Sequence, residues 1–220
     1  MPLDVKICGL TSADAVDAAV TGGAAFTGFV FVEKSPRFVT PETAAALAAR
    51  VPPPIGRIGV FVDPDDTLID SVLAAVKLTA LQLHGRETPR RVAALRARTG
   101  LGIWRALPVH EAGDLARTRL FDRGAGAVDR FLFDARPPPA ASRTGGHGRT
   151  FDWRLLRDLK TTRPWLLAGG LTARNLAEAV AASGAKGVDV SSGVEDRPGH
   201  KDPGRVAEFL AAAAMIRAGK

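Results

Sequence analysis

Cys8 is the only cysteine in a chain of 220 residues, and it lies in Lys6-Ile7-Cys8-Gly9. One cysteine forms no intramolecular disulfide, so its thiol is either a small buried apolar group or a chemical one. An unperturbed thiol, with a pKa of about 8.5, is only slightly ionised at neutral pH, and a cationic neighbour would raise that fraction. Lys6 is one source of such a field, and Arg105 is another if its strand points it inward. Lys6 fits a buried ion pair equally well. Asp134 follows Phe131-Leu132-Phe133. To hold a proton at neutral pH it would need burial or nearby negative charge. Two glycine-rich motifs, Gly169-Gly170 and Ser191-Ser192-Gly193, offer backbone N–H groups that an anion can approach closely.

These residues need elements to bring them together. Short apolar runs alternate with Ala/Leu/Arg-rich amphipathic segments along the whole chain. Strands are expected at 4–8, 28–32, 58–62, 79–83, 102–107, 130–134, 165–168 and 187–190. Helices are expected at 12–21, 41–50, 66–76, 89–98, 111–121, 151–159, 173–182 and 203–216. Ser12, Thr40, Thr88 and Asp202 read as N-caps, the last three followed by proline at the first helical position. Eight strand–helix repeats imply parallel pairing closed on itself. The fold class is therefore α/β, a single (β/α)8 TIM barrel formed by one domain over residues 1–220. An open doubly wound sheet is the competing layout, usually with fewer strands. The longest loop, 136–150, carries three prolines and Gly145-Gly146-His147-Gly148.

A barrel of this kind places its site at the C-terminal ends of its strands. The polar residues of this chain fall there: Cys8, 33–37, Asp63, His84, Asp134, Gly169-Gly170 and Ser191-Ser192-Gly193. Strand alternation turns Asp4, Lys6, Cys8, Gln82, His84, Leu132 and Asp134 inward, with Val5, Ile7, Leu81, Leu83, Phe131 and Phe133 toward the helices. The loops after strands seven and eight commonly bind phosphate in barrels, so the two glycine-rich ends together read as a phosphate site.

Composition narrows the classes further. At 46% hydrophobic, the chain can build a real core. No run of about 18 apolar residues suggests a membrane span, and charges among the first six residues argue against a signal peptide. A cytoplasmic location is expected. The formal charge of +7 and pI of about 10.3 suit anionic ligands, a phosphorylated small molecule among them. The arginines are dispersed, with no basic tract and no interleaved aromatics, so no nucleic-acid partner is expected. Of four histidines only His84 lies near an expected strand end, so no metal is expected.

The motifs resemble one family. Lys6-Ile7-Cys8-Gly9-Leu10-Thr11 is similar to the opening signature of phosphoribosylanthranilate isomerases. Phe29-Val30-Phe31 with Lys34-Ser35-Pro36-Arg37, then Leu81-Gln82-Leu83-His84-Gly85 and Phe133-Asp134-Ala135, follow in the family's order. So do Gly169-Gly170-Leu171, Val188-Asp189-Val190-Ser191-Ser192-Gly193-Val194-Glu195, Pro198-Gly199 and Lys201-Asp202. The resemblance runs from about residue 3 to residue 210. It implies an aldose–ketose isomerase of tryptophan biosynthesis, performing an Amadori rearrangement without a cofactor. It further implies Cys8 as general base and Asp134 as general acid, with Arg37 on the anthranilate carboxylate and His84 and Asp189 lining the sugar. Gly169, Gly170, Ser191, Ser192 and Gly193 would hold the phosphate, and the chain would act as a monomer or homodimer. Phe38 stands where a tyrosine often follows the arginine, which removes a hydroxyl near the anthranilate end.

Two other readings are weaker. Another ribulose-phosphate barrel would carry either an extra N-terminal helix with a late lysine acid (a synthase) or paired His and Asp metal ligands (an epimerase). A non-catalytic nucleic-acid module would carry a recognisable basic motif, and none is present.

Overall fold

A computed structural model describes residues 2–135 and 150–216. Eight parallel strands close into a barrel in chain order: β1 Asp4–Cys8, β2 Phe26–Val30, β3 Gly56–Phe61, β4 Ala80–Leu83, β5 Gly102–Val109, β6 Arg130–Ala135, β7 Trp165–Leu167 and β8 Gly187–Val190. The single-barrel reading of the sequence therefore holds. β1 pairs with β8 as well as β2, with Lys6 opposite Asp189 on one side and Cys8 opposite Gly28 on the other. Helices α1 Ala13–Thr21, α2 Pro41–Ala48, α3 Asp66–Ala75, α4 Pro89–Thr99, α5 Leu176–Ser183 and α6 Pro203–Ala214 lie outside. The expected caps form, each accepting a backbone N–H: Ser12 from Ala15, Thr40 from Thr43, Thr88 from Arg91 and Asp202 from Arg205.

Four features differ most from expectation. The fifth and sixth connections contain 3-10 turns, Ala112–Leu120 and Trp153–Leu156, where α-helices were expected. Strand two begins and ends two residues early, because the chain leaves the barrel after Val30 to form the loop carrying Arg37. After β8 the chain adds a small antiparallel hairpin, β9 Glu195–Arg197 with β10 His200–Lys201.

Burial follows the alternation. Ile58, Ala80, Trp104, Ala106, Leu132, Leu166 and Ala168 fill the barrel, while Val5, Ile7, Leu81, Leu83, Phe131 and Phe133 pack toward the helices. Arg130 stacks over Phe26 and Trp104 and reaches Asp4 at 3.3 Å, filling the N-terminal end. Apolar side chains thus occupy the lower barrel and leave the C-terminal rim to polar groups. Among the described residues no helix is long and apolar enough to cross a membrane.

Candidate active site

Cys8 ends β1 and is buried. The neighbouring strand supplies Gly28, where a Cβ would stand 3.1 Å from both Cys8 Sγ and Lys6 Nζ. Glycine at this position leaves room for thiol and ammonium side by side. Lys6 is fully buried, and its Nζ donates to Asp189 Oδ1 at 2.7 Å. Its charge also acts on the neighbouring Cys8 thiol. Burial pulls the Lys6 pKa down, but Asp189 and Cys8 overcome this and push it up to about 12, so it stays cationic. Burial raises the Cys8 thiol above its ordinary range, with Lys6 and then Lys201 opposing. The resting group is therefore the thiol.

Asp134, at the end of β6, is 7% exposed. Its Oδ1 accepts from the N–H of Ala135 at 2.9 Å. Burial, and then the negative charge of Asp189, raise its pKa to about 7. It can therefore hold a proton at neutral pH. His84 follows β4 and brings Nε2 to 3.5 Å from Asp134 Oδ2. Burial and the charges of Arg105 and Lys6 hold the imidazole down at about 4, so it is neutral.

Arg105 does not point inward. It shares the outer face of β5 with Ile103 and Leu107, because Trp104 and Ala106 take the interior. It is fully buried there, donating to the carbonyls of Leu83 at 2.9 Å and Gly85 at 2.8 Å, and to Glu87 Oε2 at 2.9 Å. These two carbonyls flank His84, so Arg105 fixes the strand end that carries the imidazole. Glu87 in turn accepts from the N–H groups of Asp63 and Gly85. The cationic neighbours of the thiol are Lys6 and Lys201 instead.

The two glycine-rich strand ends meet. Gly169, Gly170, Ser191, Ser192 and Gly193 line one pocket of about 380 Å³, and Asp134 and Asp189 form part of its wall. Gly169 has φ +90°, and a Cβ there would stand 2.7 Å from the Ala135 nitrogen. At Gly193 a Cβ would stand 1.8 Å from the Leu171 carbonyl oxygen. Both positions need glycine for the backbone to close around the space. Asn175 Nδ2 donates to the Gly170 carbonyl at 3.0 Å and fixes that loop. The Ser191 hydroxyl donates to the Cys8 carbonyl at 3.0 Å, which ties the start of this loop to the end of β1.

Arg37 lies on the rim above, 5% exposed. Its Nε and Nη2 make a bidentate pair with Glu195, at 2.7 and 2.8 Å. Lys201 Nζ reaches the same carboxylate at 2.6 Å. Sequence reasoning placed Glu195 and Lys201 within motifs but gave them no task. The available signal was Pro198-Gly199 between short polar runs, which marks a hairpin turn that would bring the two charges together. Gln82 also points inward, and its buried Oε1 has no partner among the described residues. The loop at 136–149, with Gly145, Gly146, His147 and Gly148, lies outside the described residues. Among the described residues no three His, Cys, Asp or Glu side chains gather as a metal-ligand set.

Fold and site define a class: a (β/α)8-barrel enzyme with a thiol and a protonatable carboxyl around an anion-sized pocket. The family model for N-(5'-phosphoribosyl)anthranilate isomerase matches residues 5–212. The isomerase of that name from Rhodospirillum centenum is 55% identical over 217 residues, spanning 98% of this chain and 100% of the relative. A structure of monomers generated from the dimeric phosphoribosylanthranilate isomerase of Thermotoga maritima superposes with a TM-score of 0.80 at 32% identity, covering 97% of this chain and 100% of that one. A phosphoribosyl anthranilate isomerase in complex with reduced 1-(o-carboxyphenylamino)-1-deoxyribulose 5-phosphate gives 0.81 at 32% identity, with the same coverage. The chain belongs to the N-(5'-phosphoribosyl)anthranilate isomerase family.

Proposed function

We propose that Cys8 and Asp134 are the acid–base pair with which this chain, a phosphoribosylanthranilate isomerase of tryptophan biosynthesis, converts its aminoaldose into the ketose. The substrate phosphate enters the pocket lined by Gly169, Gly170, Ser191, Ser192 and Gly193, and its carboxylate meets Arg37. Protonated Asp134 gives its proton to the furanose ring oxygen. The C1′–O bond breaks, and the nitrogen lone pair forms the protonated Schiff base. That iminium acidifies the proton at C2′, which the Cys8 thiolate removes. The C2′–H electron pair becomes a C=C bond and the C=N pair returns to nitrogen. The resulting enolamine tautomerises, gaining a proton at C1′ and losing one from the C2′ hydroxyl. The Schiff base is itself the electron sink, so these steps consume no oxidant or reductant. Neutral His84 and the Lys6–Asp189 pair line the sugar side.

One observation carries the reading. Asp134 forms part of the wall of the glycine–serine pocket and has a pKa raised to about 7, which suits a carboxyl that must donate at neutral pH. We assign the chain to the cytoplasm as a monomer or homodimer, with its basic balance spent on a solvated surface rather than on nucleic acid. Purified protein should turn N-(5'-phosphoribosyl)anthranilate into 1-(2-carboxyphenylamino)-1-deoxyribulose 5-phosphate, and should restore growth without tryptophan to a strain lacking this step. Cys8→Ala should do neither. Full turnover by Cys8→Ala would remove the base assignment.

A further inference from the structure

The β9–β10 hairpin lies across the rim of the site. Its turn at Gly199 packs so closely on the loop of Arg37 that a Cβ there would stand 2.0 Å from the Pro36 carbonyl oxygen. Thr11, just beyond β1, donates its hydroxyl to the Gly199 carbonyl at 3.0 Å. The hairpin is thus tied to the loops after both strands that bear Cys8 and Arg37. Its two buried charges point back into the site. Glu195 takes two nitrogens of Arg37, and Lys201 shares the Glu195 carboxylate at 2.6 Å. Lys201 Nζ also lies 3.5 Å from Ser191 Oγ, which donates to the Cys8 carbonyl at 3.0 Å.

The charges in this cluster do not cancel. Arg37 and Lys201 supply two positive charges against the single carboxylate of Glu195, all in a buried setting. A buried excess charge is costly unless something compensates it. The pairing also fixes the guanidinium plane, because a bidentate contact sets orientation as well as distance. The arrangement suits the arrival of one further anion at Arg37, in one orientation.

We propose that Glu195 and Lys201 form a positioning pair, Glu195 aiming Arg37 at the carboxylate of the aromatic amine and Lys201 holding the backbone of Cys8 through Ser191. The inference rests on the reading of Arg37 and Cys8 given above, and it makes the hairpin a determinant of specificity. An N-phosphoribosyl arylamine with an ortho carboxylate is preferred because Glu195 holds Arg37 still. The base stays in register because Lys201 closes the other side of the same hairpin.

The test compares two substrates, N-(5'-phosphoribosyl)anthranilate and the carboxylate-free N-(5'-phosphoribosyl)aniline. Glu195→Gln should raise KM for the first by about tenfold or more, the scale of one charged hydrogen bond, and leave KM for the second within about threefold. Combined with Arg37→Met, it should add little, since both changes remove the same interaction. Lys201→Met should lower kcat on both substrates without selecting between them, and Lys201→Arg should restore much of that loss. If Glu195→Gln does not accumulate, Glu195→Asp carries the same contrast, keeping the charge but drawing it back by one methylene. Equal losses on both substrates, or wild-type kinetics in Glu195→Gln and Lys201→Met, would overturn the proposal. Wild-type protein inactive on the anthranilate substrate would instead overturn the isomerase reading on which it rests.

Discussion

His84 Nε2 stands 3.5 Å from Asp134 Oδ2, and burial drives these two groups in opposite directions, the imidazole down to about 4 and the carboxyl up to about 7. Each is pushed toward its neutral form, as desolvation requires. The pair therefore meets at neutral pH as an uncharged imidazole beside a carboxyl near its midpoint. A charged His84 would pull the Asp134 proton away. Burial, and then the Arg105 and Lys6 cations, prevent that charging.

The first consequence is a pH profile. The productive enzyme needs a Cys8 thiolate and a protonated Asp134, yet both groups titrate above their ordinary values. Below both pKa values the thiol lacks its negative charge; above both the carboxyl lacks its proton. The productive form is greatest between them, so kcat/KM should follow a bell whose lower bend lies near 7 and whose maximum lies above it. A maximum below about pH 6 would contradict this ordering.

The second consequence separates chemistry from binding. Cys8→Ala and Asp134→Asn should each lower kcat by about 10²–10⁴-fold, the usual contribution of one acid–base group. The phosphate pocket is built from backbone, so both variants should still bind the reduced ketose phosphate product analogue by calorimetry. Loss of that binding together with turnover would point to a collapsed site instead.

Stability should run against function at Asp134. Its folded pKa of about 7 lies above an unfolded value of about 3.9, so the folded state binds the extra proton. Stability from this group is full below about pH 4 and is lost as pH rises toward 7. His84 runs the other way, since its folded pKa of about 4 lies below 6.5 and its contribution grows over the same interval. The two offset each other in the acid range, and only the Asp134 loss remains at pH 8. Asp134→Asn, which can still accept from Ala135, should therefore raise Tm by several degrees at pH 8 and by much less at pH 4. A lower Tm at both values would refute the linkage.

Much of this was readable from the chain alone, for reasons specific to each residue. Strand one was legible because Asp4, Lys6 and Cys8 alternate with Val5 and Ile7, and the observed limits coincide. The glycine-rich ends were legible because positive φ at Gly169 and the close approach at Gly193 leave no other residue type. Arg105 was ambiguous, since a charged residue in a strand can face either way; its period-two neighbours Ile103 and Leu107 carried the answer. The Glu195–Arg37 contact was hidden because the two residues are 158 apart, and no local pattern reports a contact of that separation. The Glu195–Lys201 pair, six residues apart, was signalled only by the Pro198-Gly199 turn. The fifth connection was read as α-helix from its Ala, Leu and Arg content, but it forms a 3-10 turn, with Gly113 a weak helix former in its first turn.

The glycines of the phosphate pocket make a further test. Gly193→Ala puts a Cβ against the Leu171 carbonyl, and a backbone atom cannot step aside as a flexible side chain can. The loop must shift, so KM should rise more than kcat falls, with a stability cost of about 1–3 kcal/mol by chemical denaturation. Gly184→Ala is the control. It has a positive φ, which Gly193 lacks, and meets nothing nearby, so it should cost stability through backbone strain alone without changing KM.

The Arg105–Glu87 pair is the last test, and it distinguishes a structural support from a source of charge. Both side chains are about 1% exposed, and Arg105 ties the carbonyls on either side of His84. Arg105→Met strands the Glu87 carboxylate in a buried site, which costs about 3–5 kcal/mol. It also frees His84 to drift from Asp134 and removes one cation that holds the imidazole neutral. Adding Glu87→Gln removes the stranded charge, so the double variant should recover most of the lost stability in a denaturant titration. It should not recover kcat, because nothing then fixes the strand end beneath His84. Recovery of both together would show that Arg105 serves the fold alone and that His84 keeps its place without it.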